Sequence, residues 1–337
     1  MHATRTPMDD ETDQAGGNAE SALTIDREYA VHAEVLFRSD PAIAEGLTEF
    51  LAVGVRNPAT RDAYTRALRR FMEWSDRRGA PDLFSLTPLH VAAYIEELGR
   101  EHAAPTVKRA LAAIRTAFDW LAMRGCLPNN PAAPVRGPRH IVARGTTPVL
   151  TVEETRQLLN TIPRSSVIGL RDLALIATMV YTFARVSAAV GMRVGDYFQQ
   201  GKRWCVRLHE KNGRLHQVPA HSRLQEHMDA YLTAAGLGSR PDAPLFLSAD
   251  PRGRLSERPL SRNDALRMVK RRAAEAGLSP TTCCHSFRAT GITAYLSNGG
   301  LLETAQALAG HASARTTSLY DRRAETVSIG EVERINI

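Results

Sequence analysis

Cysteine is scarce in this chain: Cys126, Cys205, Cys283 and Cys284 are the only four among 337 residues. None forms a C-x-x-C pair, and adjacent cysteines are badly placed to bridge one another, so no disulfide framework is expected and a reducing compartment fits best. Cys283, Cys284, His285 and His311 lack a second ligand pair at zinc-finger spacing, so buried thiols are expected rather than a metal centre. Long apolar runs are missing too. The longest uncharged one, Leu173–Ala184, lies between Asp172 and Arg185 and falls short of the ~20 residues that a membrane span requires, so it reads as a core helix. The first residues do not follow the basic-then-apolar order of a secretory signal. These absences lead to the expectation of a cytoplasmic protein with no membrane attachment.

What is present is basic charge and helical periodicity. The formal net charge is +7, although the first twenty residues carry one basic residue against five acidic ones. The positive excess therefore lies in the remainder, which suggests a polyanionic partner. The length is about twice that of a usual domain, so two domains are expected.

The polar leader, residues 1–39, has no sustained apolar period and is expected to be disordered. A helical region follows over 40–126. Asn57-Pro58 reads as an N-cap followed by proline at the first helical position, with Tyr64, Leu68 and Phe71 inward. Arg61, Arg66, Arg69, Arg70, Arg77 and Arg78 make that helix and its exit basic. Thr87-Pro88 starts another helix with Val91, Tyr94, Ile95 and Leu98 as its buried stripe. A third runs from Thr106 to Gly125, with Val107, Leu111, Ile114, Phe118 and Leu121 inward and Lys108, Arg109 and Arg115 outward. Arginines and helix N-termini are natural phosphate ligands, so such a bundle can lie against a duplex. Arg69, Arg70, Lys108 and Arg109 are its candidate DNA contacts, and no helix-turn-helix can be singled out.

Residues 127–149 carry Pro128, Pro131, Pro134, Pro138 and Pro148 and read as an interdomain linker, long enough to let two domains sit on opposite sides of a duplex. The second domain is expected over 150–325, with 326–337 as a tail. It opens on a capping box at Thr151 and Glu154. An apolar helix, Leu170–Thr182, delivers Arg185. Residues 203–219 alternate around Asn212-Gly213, a strong hairpin signal that places Lys211 at the tip. A helix over Ser222–Ala235 is followed by a short strand at Pro244–Ser248. Ser261-x-x-Asp264 then opens a helix with Leu266 and Val269 inward and Lys270, Arg271 and Arg272 outward, of which Lys270 and Arg271 are candidate DNA contacts. The fold class expected is mainly α with a small β-sheet, a helical bundle followed by an α+β domain.

The residues that point furthest are His285 and Arg288, three apart near the head of a helix read as His285–Ser297 and so on one face of it. Gly310-His311 ends the next apolar helix, and Tyr320 follows nine residues later. Any one of these alone is an ordinary packing or surface residue. Their order, with Arg185 upstream in Thr182-Phe183-Ala184-Arg185-Val186-Ser187, resembles the tyrosine recombinase (phage integrase) family over roughly residues 40–325.

The resemblance implies an N-terminal core-binding bundle and a C-terminal catalytic domain that close around double-stranded DNA. It implies catalysis by Arg185, Lys211, His285, Arg288, His311 and Tyr320. Two arginines offering paired hydrogen bonds can neutralise a phosphodiester, with His311 a further donor to it. A phenol with an ordinary pKa of ~10 needs a base, for which His285 is placed, and the leaving 5′ oxygen needs a proton, which Lys211 can give. Strand exchange through a 3′-phosphotyrosyl link would use no cofactor and no metal. Four protomers would act on two DNA sites, and the free protein would be a monomer or weak oligomer associated with the nucleoid. The alternatives are a DNA-binding protein of the same fold with weakened catalysis, and a topoisomerase-like enzyme that nicks and reseals one duplex.

Four positions depart from the family pattern. Phe183-Ala184 stands where Gly-Leu is usual, Ala188 where an acidic residue follows the first arginine, and Ala289 where a histidine follows Arg288. The acidic residue would hold Arg185 in place. Ala188→Glu is therefore expected to speed cleavage unless another carboxylate has taken over, with Asp196 the nearest in sequence.

Overall fold

The computed structural model describes residues 41–79, 82–139, 147–210, 213–311 and 313–321. The leader, the tail and Lys211 lie outside these residues. The described residues fall into two compact units, one within 41–139 and one within 147–321.

The first unit is a helical bundle. Helix α1 spans Pro41–Glu49 and runs into a π-helical turn, Phe50–Gly54. Helices α2 (Pro58–Arg77), α3 (Pro88–Glu101) and α4 (Ala104–Met123) follow. The caps are those the local sequence asks for: the Asn57 side chain accepts the Thr60 N–H at 3.2 Å, and Pro58 and Pro88 sit where a helix has no use for an N–H. α4 begins two residues before the expected Thr106, because Pro105 falls in its first turn. Every apolar position assigned to the α3 and α4 stripes is buried, and Phe71, Trp74, Tyr94 and Phe118 form a connected aromatic centre.

Arg61 is not part of the basic exterior. Its side chain is buried, and its guanidinium donates to the carbonyls of Val55 (3.1 Å) and Ala52 (3.3 Å), closing the end of the π-turn where helical carbonyls lack partners. The proline-rich stretch is also less free than its composition suggests. Leu127, Ala132 and Val135 are buried in the bundle core, Arg115 Nε donates to the Ala132 carbonyl at 3.1 Å, and Asn130 bonds to Asp119 at 2.6 Å.

The second unit is α+β. Helices α5 (Val152–Thr161) and α6 (Val167–Tyr181) precede a short α7 (Val186–Val190). The capping box at Thr151 is formed, with its hydroxyl accepting from Glu154 N–H and Glu154 accepting from Thr151 N–H. A 3₁₀ turn at Val194–Asp196 leads to an antiparallel three-stranded sheet, β1 (Tyr197–Gln200), β2 (Arg203–His209) and β3 (Leu215–Pro219). Val206 faces Tyr197 on one side and Val218 on the other. Helix α8 (Ser222–Ala235) follows, then the hairpin β4 (Leu247–Ala249) and β5 (Leu255–Pro259), and helices α9 (Arg262–Glu275), α10 (Cys284–Ser297), α11 (Leu302–Ala309) and α12 (Ala314–Ser318). Helix α6 is the core element, with Leu173 to Ala177 buried along its length, and both α8 and α10 pack on it.

Helix α9 corrects the expected facing. Its inner face is Ala265, Met268, Val269 and Arg272, whereas Leu266 is exposed. Arg272 is buried with Asp172, whose carboxylate is fully enclosed and receives Arg171 (2.7 Å), Arg272 (2.8 Å) and Arg271 (3.3 Å). No described helix is long and apolar enough to cross a membrane.

Candidate active site

Three consecutive helices of the second unit, with one earlier turn, deliver the site. α10 carries His285 and Arg288 one turn apart near its N-terminus. α11 ends at Gly310, whose left-handed φ of 59° turns the chain so that His311 leaves inward. α12 presents Thr317 and then Tyr320. Arg185 caps the start of α7.

Arg288 is the deepest of these, only 1 % exposed. One terminal nitrogen donates to the Phe183 carbonyl, the other to the Ala309 carbonyl at 2.6 Å, and Nε has no partner among the described residues. Backbone carbonyls orient this guanidinium without neutralising it. Burial and the nearby Arg185 charge pull its pKa down to about 10, so it still carries its proton at neutral pH.

The carbonyl that Arg288 uses is aimed by an uncommon conformation. Phe183 has φ of 54°, the left-handed region that a bulky residue enters at a cost of about 1–3 kcal/mol. This is the position where the related pattern has glycine, the residue that enters this region without a steric cost. The ring is accommodated because Gly291 on α10 has no side chain: a Cβ there would collide with the Val180 carbonyl and with the Phe183 ring. Phe183 then packs edge-on against Tyr295, with centroids 6.2 Å apart.

Tyr320 is 8 % exposed, and its hydroxyl lies 2.7 Å from His285 Nε2. Burial raises the phenol pKa, while the charges of Arg288 and Arg185 oppose that rise. Burial first, then Arg288 and Arg185, lower the pKa of His285, so the imidazole is neutral at pH 7. A neutral imidazole protonated on Nδ1 accepts the phenol proton at Nε2. His311 stacks on the Tyr320 ring with centroids 6.0 Å apart, and its Nδ1 is fixed by the Thr317 hydroxyl at 2.8 Å. Burial and the same two arginines push its pKa down to about 4.

Sequence reasoning missed Glu210. Its carboxylate pairs with Arg185, and it is enclosed while Arg185 remains partly open, with side-chain exposures of 6 % and 38 %. Glu210 follows β2, its N–H bonded to the Arg214 carbonyl at 2.8 Å, so the closing hairpin turns its side chain inward. Asp196 is engaged elsewhere: it accepts from the Arg193 N–H (2.9 Å) and lies beside His209 (3.2 Å) and Arg207 (3.5 Å). Ala188 and Ala289 are buried among apolar side chains.

The structure thus brings Arg185, His285, Arg288, His311 and Tyr320 together; Lys211 lies outside the described residues, next in sequence to Glu210. The remaining predicted residues lie apart from this cluster. Arg70 sits beside His102, Arg69 is partly buried on α2, and Lys108 and Arg109 are exposed on α4. Lys270 donates to the Pro280 carbonyl, and Arg271 is divided between Asp172 and Glu275.

A buried phenol beside a neutral base, under guanidinium groups that are not fully neutralised, defines a site for nucleophilic attack on an anionic centre. The model of the phage integrase family matches residues 148–326, and that of the phage integrase N-terminal SAM-like domain matches residues 45–125. The chain is 30 % identical over 272 residues to tyrosine recombinase XerD of Corynebacterium glutamicum, covering 77 % of this chain and 86 % of that protein. It is 32 % identical to tyrosine recombinase XerC of Pelobacter propionicus, covering 78 % and 84 %. In fold it is similar to the XerH site-specific recombinase bound to a palindromic difH substrate (TM-score 0.66, 17 % identity, 93 % and 95 % covered). It is likewise similar to a lambda integrase dimer bound to a COC′ core site (TM-score 0.64, 22 % identity, 84 % and 78 % covered). The chain belongs to the phage integrase family and is a tyrosine-type DNA strand transferase, a site-specific recombinase that cleaves and rejoins DNA through a phosphotyrosyl link.

Proposed function

We propose that Tyr320 is the nucleophile of this recombinase and that Arg185 and Arg288 seat the scissile phosphate. The observation that carries this reading is the Tyr320 hydroxyl at 2.7 Å from a neutral His285, with both arginine charges acting on it. Tyr320 Oη attacks phosphorus, its proton passes to His285 Nε2, and the bond to the 5′ oxygen breaks. That oxygen takes a proton from Lys211, leaving a 3′-phosphotyrosyl enzyme and a 5′-hydroxyl. A 5′-hydroxyl from another strand reverses the step. Arg288 has Nε unspent and Arg185 is open on one side, so both can donate to the phosphate as charge grows on its oxygens. His311, held by Thr317, keeps Nε2 for the same group.

Glu210 supports this assignment where Ala188 would weaken it. A carboxylate does hold Arg185, and it comes from Glu210, the residue that precedes Lys211 in sequence. Double-stranded DNA is the substrate in this reading, and four protomers act on two sites, working at the nucleoid. The test is covalent trapping on a nicked duplex. Tyr320→Phe is expected to abolish the adduct while leaving DNA affinity within a factor of about two, since no phosphate-binding cation is touched. A wild-type yield of adduct from that variant would refute the assignment.

A further inference from the structure

Tyr320 stands just outside any regular element. It follows α12, a helix of five residues, and its own N–H is bonded to the Thr317 carbonyl within that turn, at 3.0 Å. The contacts to its ring come from His285 and His311, and both act on the phenol rather than on the chain that carries it. One bond reaches that chain from outside. Thr293 Oγ1, on α10, donates to the Tyr320 carbonyl at 3.1 Å, and among the described residues this is the sole hydrogen bond between the Tyr320 main chain and another helix.

A threonine inside a helix commonly spends its hydroxyl proton on the carbonyl four residues back. Thr48, Thr65, Thr116 and Thr178 do so here, at 2.8 to 3.0 Å. Thr293 turns its hydroxyl away from its own helix instead, to a carbonyl of the kind that a helix end leaves without an intrahelical partner. His285 and Arg288 lie on the same helix. α10 therefore holds the base, one phosphate-binding guanidinium and, through this hydroxyl, the main chain of the nucleophile. A reacting atom displaced by about 1 Å can cost roughly a hundredfold in rate, so the point where the chain leaves α12 matters to the chemistry.

We propose that Thr293 is a positioning residue, whose hydroxyl sets the free Tyr320 in place for attack. The proposal rests on Tyr320 being the nucleophile. Cleavage and rejoining should then respond differently to its loss. While the tyrosine is free, this bond and the ring contacts hold it, so the cleavage step needs the hydroxyl. Once the phosphotyrosyl link has formed, Arg185 and Arg288 hold the phosphate and with it the ring, so rejoining does not.

The experiment is single-turnover kinetics of the full-length chain on saturating DNA. Covalent trapping on a nicked duplex gives the cleavage rate, and a 5′-hydroxyl strand added to the trapped complex gives the rejoining rate. Thr293→Val keeps the shape of the side chain and removes its proton, and the cavity of about 500 Å³ beside it, with Leu150, Val180 and Ala294 among its walls, accepts a methyl group. This variant is expected to cleave roughly five- to tenfold more slowly, as for loss of one neutral hydrogen bond, with rejoining and DNA affinity unchanged. On an intact duplex the adduct fraction falls by the same factor. Thr293→Ala should show the same split, and Thr293→Ser, which keeps the hydroxyl, should cleave within a factor of about two of the wild type. Wild-type cleavage by both Thr293→Val and Thr293→Ala would overturn the proposal. Equal slowing of cleavage and rejoining would do so as well, because it marks a general loosening of the site. If Thr293→Ser is as slow as Thr293→Val, the methyl group is what matters and the proposal falls. Tyr320→Phe is scored in parallel: a wild-type adduct from it counts against the nucleophile itself, whereas no adduct from it, with wild-type cleavage by the Thr293 variants, counts against Thr293 alone.

Discussion

The second unit buries arginine in two ways, and the contrast separates architecture from chemistry. At Asp172 three guanidinium groups converge on one enclosed carboxylate, and Arg272 adds Glu275 at 2.9 Å. At the active site Arg288 is buried as deeply, yet its partners are the neutral carbonyls of Phe183 and Ala309. A carboxylate partner satisfies an arginine's charge and its hydrogen bonds together. Carbonyl partners satisfy only the geometry, leaving the field free to act on His285, His311 and Tyr320 and to receive a phosphate.

The comparison can be broken first at its structural side. Asp172→Asn leaves a cluster of arginines without its counter-ion and is expected to cost about 3–5 kcal/mol of stability, measured by urea unfolding, while the folded fraction keeps its cleavage rate. A stable variant that fails to cleave would move Asp172 into the chemistry.

Arg288→Lys keeps the charge and loses the fork. It is expected to slow single-turnover cleavage by roughly a hundred- to a thousandfold, the scale for removing one donor to a growing oxyanion, with a smaller loss of stability than Asp172→Asn. Equal losses in both assays would make the two arginine clusters alike.

The unneutralised field also predicts a dependence on pH. The pKa of His311 is about 4 in the folded protein against an ordinary 6.5, so between those values the unfolded chain binds more protons. Its contribution is complete above pH 6.5 and is lost as pH falls toward 4, up to about 3 kcal/mol in all. Between pH 7 and pH 4.5 the wild type should lose about 2 kcal/mol more stability than His311→Gln, and parallel curves would contradict it. His285, also lowered, moves the acid limb of cleavage below pH 6.5.

The smallest effect is expected at Glu210. Glu210→Gln should slow cleavage roughly tenfold, with partial recovery in Glu210→Asp. Ala188→Glu should bring no gain, because Arg185 already has its carboxylate and position 188 is 2 % exposed, where a new charge would be costly. A faster Ala188→Glu enzyme would show that Glu210 leaves Arg185 loosely held.

Much of this was legible in the sequence wherever the deciding interaction is local. Asn57, Thr151 and Ser261 cap the helices that follow them, and the Asn212-Gly213 signal correctly paired β2 with β3. The family resemblance carried by the order of His285, Arg288, His311 and Tyr320 likewise implied one site, and those side chains are together. What stayed hidden depends on distant partners. Arg61 and Arg272 look like solvated residues on their own helices and are buried by carbonyls and a carboxylate elsewhere. Leu266 has an apolar side chain on the outer face of a helix whose inner stripe uses alanine and arginine, so periodicity chose the wrong leucine. β1 and β5 are short, with no alternation of apolar and polar residues to mark them. Proximity in sequence favoured Asp196 over Glu210, but the hairpin brings the residue twenty-five positions away to Arg185.

The central claim is tested most directly by locating the DNA on the protein. A nicked duplex that loses its downstream strand on cleavage traps the covalent complex, and tryptic digestion leaves the nucleotide on one peptide. The active site described here predicts the modification on Thr316–Arg322, which holds Tyr320 as its only tyrosine. An adduct on any other peptide would contradict it.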